Sequence, residues 1–589
     1  AAPDVAGVLS LLALDERPLP AHPTVPAGLA GNLALVQALG DADVDAPLWL
    51  ITRAAVAAGP EERLTNPGQA LVWGLGRVVA QEHPQRWGGL IDLPADPEGD
   101  AALAGRLAAA LTGAGAEDQL AVRPDGVLGR RLLPAPFDPA AVTAPWRPEG
   151  TVLVTGGTGA LGGHVARWLA RAGAEHLLLV SRRGAEAPGA AELVAELAAL
   201  GTRAEAVACD VADRGDLARL LAAIPAEAPL TTVIHTAAIV DDNLLDALTV
   251  DQVARALAVK VTAARNLDEL TRGLDLSAFV LFSSFAGTFG LAGQGNYAPG
   301  NAFLDALAEQ RRADGLPATS LAWGHWAGGG MAEGAVESSL RRRGSGELDP
   351  DLAVTVLQQA LDARETFLAV ADIAWDRFVP SFGAGRVRPL IGEVPAVARM
   401  LAERPAESAR TDGADPASFA ARLAALPPAD RSELLLDLVR SRTAGVLGHA
   451  SADGVDPTRA FRDLGFDSLT AVEMRNRLTA AVGVKLPATL VFDYPTPTAL
   501  AEHLLAELLG ARPDRPASAL ADLERLDAEL GDLTADEETA AAVTARLQRM
   551  LARWTTRFAG TDADTAPTVL DAATADELFD LIDNELGMS

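Results

Sequence analysis

The sequence predicts a multi-domain protein: doubly wound parallel α/β units, then a small all-α four-helix domain and a helical tail. Three observations predict it. The chain has 589 residues, and single hydrophobic cores stop growing near roughly 250–300 residues. Short apolar runs alternate with helical periodicity over its first two thirds, as parallel sheets require. Two polar, proline-bearing stretches at 405–416 and 511–517 then separate helical regions.

Taken in order, residues 1–143 show apolar runs at 8–14, 48–52, 89–93 and 120–122 that read as strands, with a helix over 69–82. This unit has no glycine-rich phosphate loop and no convergent titratable cluster, so its expected role is structural. Residues 144–380 repeat the rhythm more strongly. The expected strands are 151–155, 176–181, 203–208, 232–235, 278–283 and 318–323. A linker is expected over 381–430, a small helical domain over 431–510, a second linker over 511–517 and a helical segment over 518–589.

Composition narrows the function. Hydrophobic residues make up 49% and charged ones 22%, as in ordinary soluble proteins. Seventy-nine acidic residues against 49 basic ones give a net charge of −30, which repels phosphate backbones and argues against a nucleic-acid partner. No apolar run reaches the ~18–20 residues a bilayer requires, and no signal stretch opens the chain. The lone Cys209 excludes an internal disulfide framework or a cysteine-rich zinc site, and no His-Glu-x-x-His spacing occurs, so no metal is expected. A cytoplasmic protein is expected, and Ala1 in place of Met suggests a piece of something longer. Only two lysines, Lys260 and Lys485, and two tyrosines, Tyr297 and Tyr494, occur among abundant alanine and arginine. Residues that persist against such a bias point to chemistry.

After the strand 151–154 comes Thr155-Gly156-Gly157-Thr158-Gly159-Ala160-Leu161-Gly162, leading into a helix expected over 164–172. Glycines in strand–turn–helix context let the backbone approach a pyrophosphate, and the free N–H groups of the helix start attract it. The next strand runs into Ser181-Arg182-Arg183, where an NAD-selective site would carry an acid. Two arginines and a hydroxyl suit a 2′-phosphate, so NADPH is the expected cofactor. Asp210 and Val211 end the third strand, where a carboxylate can bond an adenine amine.

Ser283-Ser284 ends a later strand, Tyr297 follows Ser284 by thirteen residues, and Asn301 lies one helical turn after Tyr297. Carbonyl reduction needs a proton donor, a hydroxyl to polarise the carbonyl and a cation to lower the donor's pKa from about 10. Tyr297, Ser284 and Lys260 suit those roles.

The glycine run with Ser284, Tyr297 and Asn301 resembles the short-chain dehydrogenase/reductase family. Tyr-Ala-Pro-Gly-Asn at 297–301 with its lysine upstream is similar to the ketoreductase domains of modular type I polyketide synthases, in which lysine and asparagine have exchanged places relative to ordinary relatives. The resemblance implies a Rossmann-type catalytic subdomain, with residues 1–143 its degenerate, N-terminally truncated partner. It implies that Tyr297 donates the proton, Ser284 holds the β-keto oxygen, Lys260 lowers the tyrosine pKa and positions the nicotinamide ribose, and Asn301 supports Lys260 or a relay water. Val240-Asp241-Asp242 departs only at its first residue from the Leu-Asp-Asp of ketoreductases that yield the D (3R) alcohol. Phe289 stands where those yielding the L alcohol carry tryptophan. Residues 323–326 with 328–331 suit a mobile lid. A redox-inactive scaffold or epimerase, and a carrier protein whose reductase region serves only packing, are the competing readings.

Gly465-Phe466-Asp467-Ser468-Leu469 precedes an amphipathic helix over 470–479, flanked by helical stretches at 434–447 and 499–509. A helix-capping serine would be the plain reading, but the unit resembles an acyl carrier protein. That resemblance implies 4′-phosphopantetheine on Ser468, installed by a phosphopantetheinyl transferase. A flexible arm raises the effective concentration of its cargo at a tethered site. Residues 516–589 hold sixteen acidic and five basic side chains, with apolar stripes in helices expected over 518–530 and 535–558 and a capping-box start at Thr574. This tail resembles a polyketide synthase docking segment. It implies a homodimer through the first helices and a last helix that engages the N-terminal docking segment of the next subunit. With no condensing cysteine and no Gly-x-Ser-x-Gly elbow, the ketosynthase and acyltransferase are expected upstream, on domains absent here.

Overall fold

A computed structural model describes residues 5–509 apart from 60–61, 98–99, 114, 330–339, 383–387, 404–415, 448–450, 467 and 488, and beyond 509 only residues 543, 544 and 547. Two sheets dominate it. The first has strands β1 (Val8–Ser10), β2 (Leu48–Arg53), β3 (Trp87–Leu93), β4 (Gln119–Arg123) and β5 (Gly126–Gly129), in that spatial order. Its first four strands are parallel, and β5 returns antiparallel as a hairpin. Helices α1 (Ala27–Asp41), α2 (Ala70–Glu82) and α3 (Leu103–Gly113) connect them.

The second sheet holds β6 (Thr151–Thr155), β7 (His176–Ser181), β8 (Arg203–Ala208), β9 (Leu230–His235), β10 (Ala278–Ser284), β11 (Thr319–Trp323) and β12 (Phe367–Val370). Every pairing in it is parallel, and the spatial order is β12-β11-β10-β9-β6-β7-β8. Strand order reverses between β6 and β9, so a crevice opens at their carboxyl ends, where ligands bind in doubly wound folds. Alternate residues serve opposite faces. Leu153, Val233 and Leu281 join one core, while Val152, Ile234 and Val280 join the other. The helices are α4 (Ala160–Arg171), α5 (Ala190–Ala199), α6 (Arg214–Ala222), α7 (Val250–Leu257), α8 (Ala263–Thr271), α9 (Phe285–Phe289), α10 (Tyr297–Ala313), α11 (Pro350–Asp362) and α12 (Trp375–Ser381).

The two sheets share one core. Leu71, Leu75 and Val78 of α2 pack with Phe303, Leu304 and Leu307 of α10. The helices touch at Gly74, where an added Cβ would come within 2.5 Å of the Ala298 carbonyl and Pro299. Only glycine lets these two helices meet so closely.

The remaining elements are α13 (Pro395–Glu403), then α14 (Pro416–Ala425), α15 (Pro428–Leu447), α16 (Ser468–Val482), α17 (Leu490–Asp493) and α18 (Pro497–Leu508). Helices α14 to α18 close on Phe419, Leu435, Val439, Phe461, Met474 and Leu500. The segment expected as a linker over 381–430 is therefore largely built into its neighbours. Leu390, Ile391 and Val397 join an aromatic cluster with Phe285, Phe289, Phe378 and Phe382, and Phe419 and Leu423 belong to the small helical core. No helix among the described residues is long and apolar enough to cross a membrane.

Other differences have physical causes. The strand expected over 8–14 ends at Ser10 and becomes a 3-10 turn at Leu12–Leu14, because the Ser10 hydroxyl accepts from the Leu12 N–H and donates to Asn32. Helices α1 and α3 are rich in Ala, Gly and Leu and lack a polar face, so periodicity did not mark them. Strand β12 is a four-residue edge strand of uniformly half-buried residues with no alternation to read. Helix α4 starts at Ala160, a turn before the expected 164. The expected linker 511–517 and the tail helices lie outside the described residues.

Candidate active site

Strand β6 ends at Thr155, and Gly156 turns the chain with φ 67°, in the region that favours glycine. A Cβ on Gly157 would lie 2.8 Å from the Val154 carbonyl, and one on Gly162 would collide with the Gly156 carbonyl. Gly159 caps α4 in extended conformation with no side chain over the helix start. The result is a backbone cradle between half-buried Thr158 and Leu161, and its donor groups fit a pyrophosphate. Arg182 and Arg183 are exposed at the end of β7, and no ion pair joins either among the described residues. Ser181 Oγ accepts the Gly184 N–H at 3.0 Å, so this hydroxyl shapes the turn. Asp210 is exposed and accepts from the Ala212 N–H, while Val211 is buried and its carbonyl is held by Asn266 Nδ2 at 3.1 Å.

The four expected catalytic residues converge beside this cradle. Tyr297 opens α10, and Ser284 ends β10 and caps α9, accepting the Ala286 N–H. Lys260 sits in a π-helical turn, Ala258–Thr262, between α7 and α8. Such turns re-aim a side chain out of α register and recur at functional sites. Its ammonium donates to the Phe282 carbonyl at 2.7 Å and lies 5.5 Å from the centre of the Tyr297 ring. Gly300 makes room for it, since a Cβ there would come 2.9 Å from Lys260 Cβ. Asn301 Nδ2 donates to the Tyr297 carbonyl at 2.8 Å, and its buried Oδ1 has no partner among the described residues.

Burial sets the charges. It pushes Lys260 down to about 7, with Asp305 pulling the other way. His235, bonded through Nδ1 to Thr155, is pushed down to about 3 and is neutral. Tyr297 is pushed up to about 12, although Ser284 and Asn301 favour its ionised form. Desolvation outweighs those two hydrogen bonds, and the Lys260 ammonium bonds to the Phe282 carbonyl. A phenol held this way is fully protonated at neutral pH, which suits a proton donor.

A cavity of about 690 Å³ contains Lys260, Ser284 and Tyr297, with Leu161, Val240 and Asp242 in its wall. Of the expected stereocontrol residues, Asp242 lines it and accepts from Gln294 Nε2 at 3.0 Å. Asp241 is not in the wall. It pairs with Arg255 at 2.5 Å, and its carbonyl accepts from Asn296. Phe289 is not in the wall either; it stacks on Phe285 at 4.0 Å and meets Phe378 and Phe382 edge-on. Trp323 and Trp326 are buried edge to face with centroids 5.0 Å apart, and with Gly324 and His325 they also line the cavity. Residues 330–331 lie outside the described residues.

Glu82 was missed in the sequence. It ends α2, is 2% exposed, and its carboxylate accepts the N–H of Leu245 at 2.7 Å and of Gly293 at 2.8 Å. It thereby ties the first subdomain to both loops at the cavity mouth, and burial pushes its pKa to about 7. The signal was an acid at a helix C-terminus, where the dipole disfavours it. Asp305, two turns after Tyr297, was also missed; it accepts from Ser320 Oγ at 2.7 Å and is raised to about 6 by burial. Ser468 is the first residue of α16, and Asp467 lies outside the described residues. Among the described residues no His/Cys/Asp/Glu group could hold a metal ion.

Comparison with known proteins agrees with this geometry. Residues 150–328 match the family described as KR domain, and residues 1–132 match the Rossmann fold domain of polyketide synthase extender module SpnB. Residues 437–504 match a phosphopantetheine attachment site and 512–578 the docking family of erythronolide synthase. Polyketide synthase GfsA of Streptomyces halstedii is 53% identical over 86% of this chain and 7% of its own length. Pikromycin polyketide synthase component PikAIII of Streptomyces venezuelae is 51% identical over 85% of this chain and 32% of its own. The chain thus spans a third or less of these two curated relatives. A solved structure titled as A-type ketoreductases from a modular polyketide synthase is 51% identical, with TM-score 0.66, covering 67% of this chain and 84% of that one.

Proposed function

The chain belongs to the ketoreductase-bearing modular polyketide synthases, and from that premise we propose that it reduces a carrier-bound β-ketoacyl thioester to the D (3R) β-hydroxyacyl thioester with NADPH. The observation that carries this reading is the convergence of Tyr297, Ser284, Lys260 and Asn301 beside the glycine cradle at the switch point of the sheet.

In this reading, NADPH when bound supplies the hydride that reaches the β-carbon. The chain does the rest. The N–H groups at the start of α4 would hold the pyrophosphate, and Arg182 and Arg183 would take the 2′-phosphate in charge-assisted hydrogen bonds. Asp210 and Val211 would border the adenine. Ser284 Oγ orients the keto oxygen, and the Tyr297 hydroxyl delivers its proton to that oxygen as charge develops. Lys260 braces the end of β10 through Phe282 and would hold the nicotinamide ribose. The open Oδ1 of Asn301 accepts from a relay water, through which the phenolate recovers a proton. Asp242, held by Gln294, and Val240 at the rim set the face presented to reduction. Ser468 carries the substrate on its phosphopantetheine arm. The C-terminal segment joins two copies of the chain and passes the product to the next subunit, while an upstream ketosynthase and acyltransferase supply the substrate.

The redox-inactive alternative gains no support, since the cradle and all four polar residues are present together. The test is turnover of a β-ketoacyl thioester with NADPH and NADH compared, followed by chiral analysis. NADPH preference that is lost in Arg182→Ala/Arg183→Ala, with a D product, supports the reading; an L product overturns the stereochemical assignment.

A further inference from the structure

The wall of the active-site cavity is completed from an unexpected side. Val472, Asn476 and Arg477 of α16 line the same space as Tyr297 and Ser284. Val472, Arg475 and Asn476 follow one another at helical spacing on one face, and Ser468 stands one turn before Val472. We infer that this face of α16 and the C-terminal end of α2 form the recognition surface through which the reductase takes substrate from the carrier domain of its own chain. The inference rests on the reading of the chain as a reductase with its carrier.

Four residues, Arg475, Asn476, Glu473 and Lys485, build the surface. Arg475, 5% exposed, donates from Nη2 to the Glu82 carbonyl. Asn476, 8% exposed, donates from Nδ2 to the Gln81 carbonyl at 3.0 Å, and its Oδ1 accepts from Arg475 Nε at 3.0 Å. Carbonyls in the last turn of a helix have no partner within it and lie at its negative end, so a guanidinium and an amide are apt donors for them. At the rim, Glu473 of α16 pairs with Arg343 at 2.8 Å and with Arg477 at 2.6 Å. On the far side Lys485, one of only two lysines in the chain, reaches Asp43 at 2.5 Å and Asp45 at 2.9 Å. The exposed Lys485 pairs add little affinity but select partners and speed encounter.

The location has a consequence for the chemistry. The residue whose carbonyl receives Arg475 is Glu82, whose carboxylate holds Leu245 and Gly293 at the cavity mouth. Docking therefore bears on the element that fixes the entrance.

The test uses the full holo-chain and two substrates, a β-ketoacyl group loaded on Ser468 and a diffusing β-ketoacyl N-acetylcysteamine thioester. In Arg475→Glu the ratio of the carrier-borne rate to the diffusing rate should fall by about tenfold or more, the effect of losing a buried charged contact. In Lys485→Glu the ratio should fall about two- to fivefold, as for a rim charge, and Asp43→Lys/Asp45→Lys added to it should restore the ratio. This charge swap keeps the inference testable if Arg475→Glu fails to fold. An unchanged ratio in both variants, or no restoration by the swap, would overturn it. A wild-type protein that reduces neither substrate would instead defeat the reductase reading on which the inference rests.

Discussion

The two sheets of the reductase region are built alike and do different work. Each begins with a parallel strand followed by a helix, and each buries a continuous apolar core. After β6 the chain enters the glycine cradle, whereas after β1 it enters the Leu12–Leu14 turn and reaches α1 from Pro26, with no glycine run between. The second sheet also carries the polar residues that meet in the cavity. The first contributes from its back: Gly74 admits α10, Arg77 donates to the Gly287 carbonyl, and Glu82 grips two loops. The fold is thus shared, and the chemistry depends on what is placed at the strand ends.

Matched substitutions in the two sheets can break this contrast. Tyr297→Phe removes the proposed proton donor and should lower the reduction rate by roughly 10²–10⁴-fold, the range for a positioned general acid, with unfolding unchanged. Ser10→Ala, at the end of β1, removes the hydrogen bond to Asn32. It should cost about 1 kcal/mol of stability by thermal denaturation and leave the rate within about twofold. Equal rate losses in both variants would erase the distinction.

How much of this was legible follows from the kind of signal. Most strands of the second sheet were readable because β6, β7, β10 and β11 are largely apolar runs bounded by turns, and the four polar residues because their lysine and tyrosine are rare in this chain. Helices α1 and α3 were not, since a helix of Ala, Gly and Leu has no polar face to count. The contributions of Gly74, Glu82 and Asp305 were hidden for another reason. Each acts through a contact with residues some 15 to more than 200 positions away, which no local pattern encodes. The same holds for Phe289, which a motif placed at the stereocontrol site and which packing assigns to an aromatic cluster.

Two further variants sharpen the supporting role of the first sheet. Gly74→Leu forces a side chain into Ala298 and Pro299, so it should destabilise the protein by about 1–3 kcal/mol and lower the rate by displacing Tyr297 one residue away. A stable variant with full rate would show that the α2–α10 contact is not needed. The smallest effect concerns pH. Glu82 has its folded-state pKa raised to about 7 from 4.5, so its contribution to stability is fully present below about 4.5 and is lost as pH rises through about 7. Glu82→Gln should therefore gain on the wild type across that window in denaturant titrations. Parallel pH profiles would contradict the buried-carboxylate account.

The most direct measurement of the central claim is single-turnover reduction within the intact holo-chain. A β-ketoacyl group is loaded on Ser468, NADPH is added, and the thioester is released and its configuration determined. The account predicts conversion to the D-3-hydroxyacyl thioester in the wild type and recovery of the unreduced β-ketoacyl group from Tyr297→Phe. Unreduced substrate from the wild type, or equal conversion by both proteins, would contradict it.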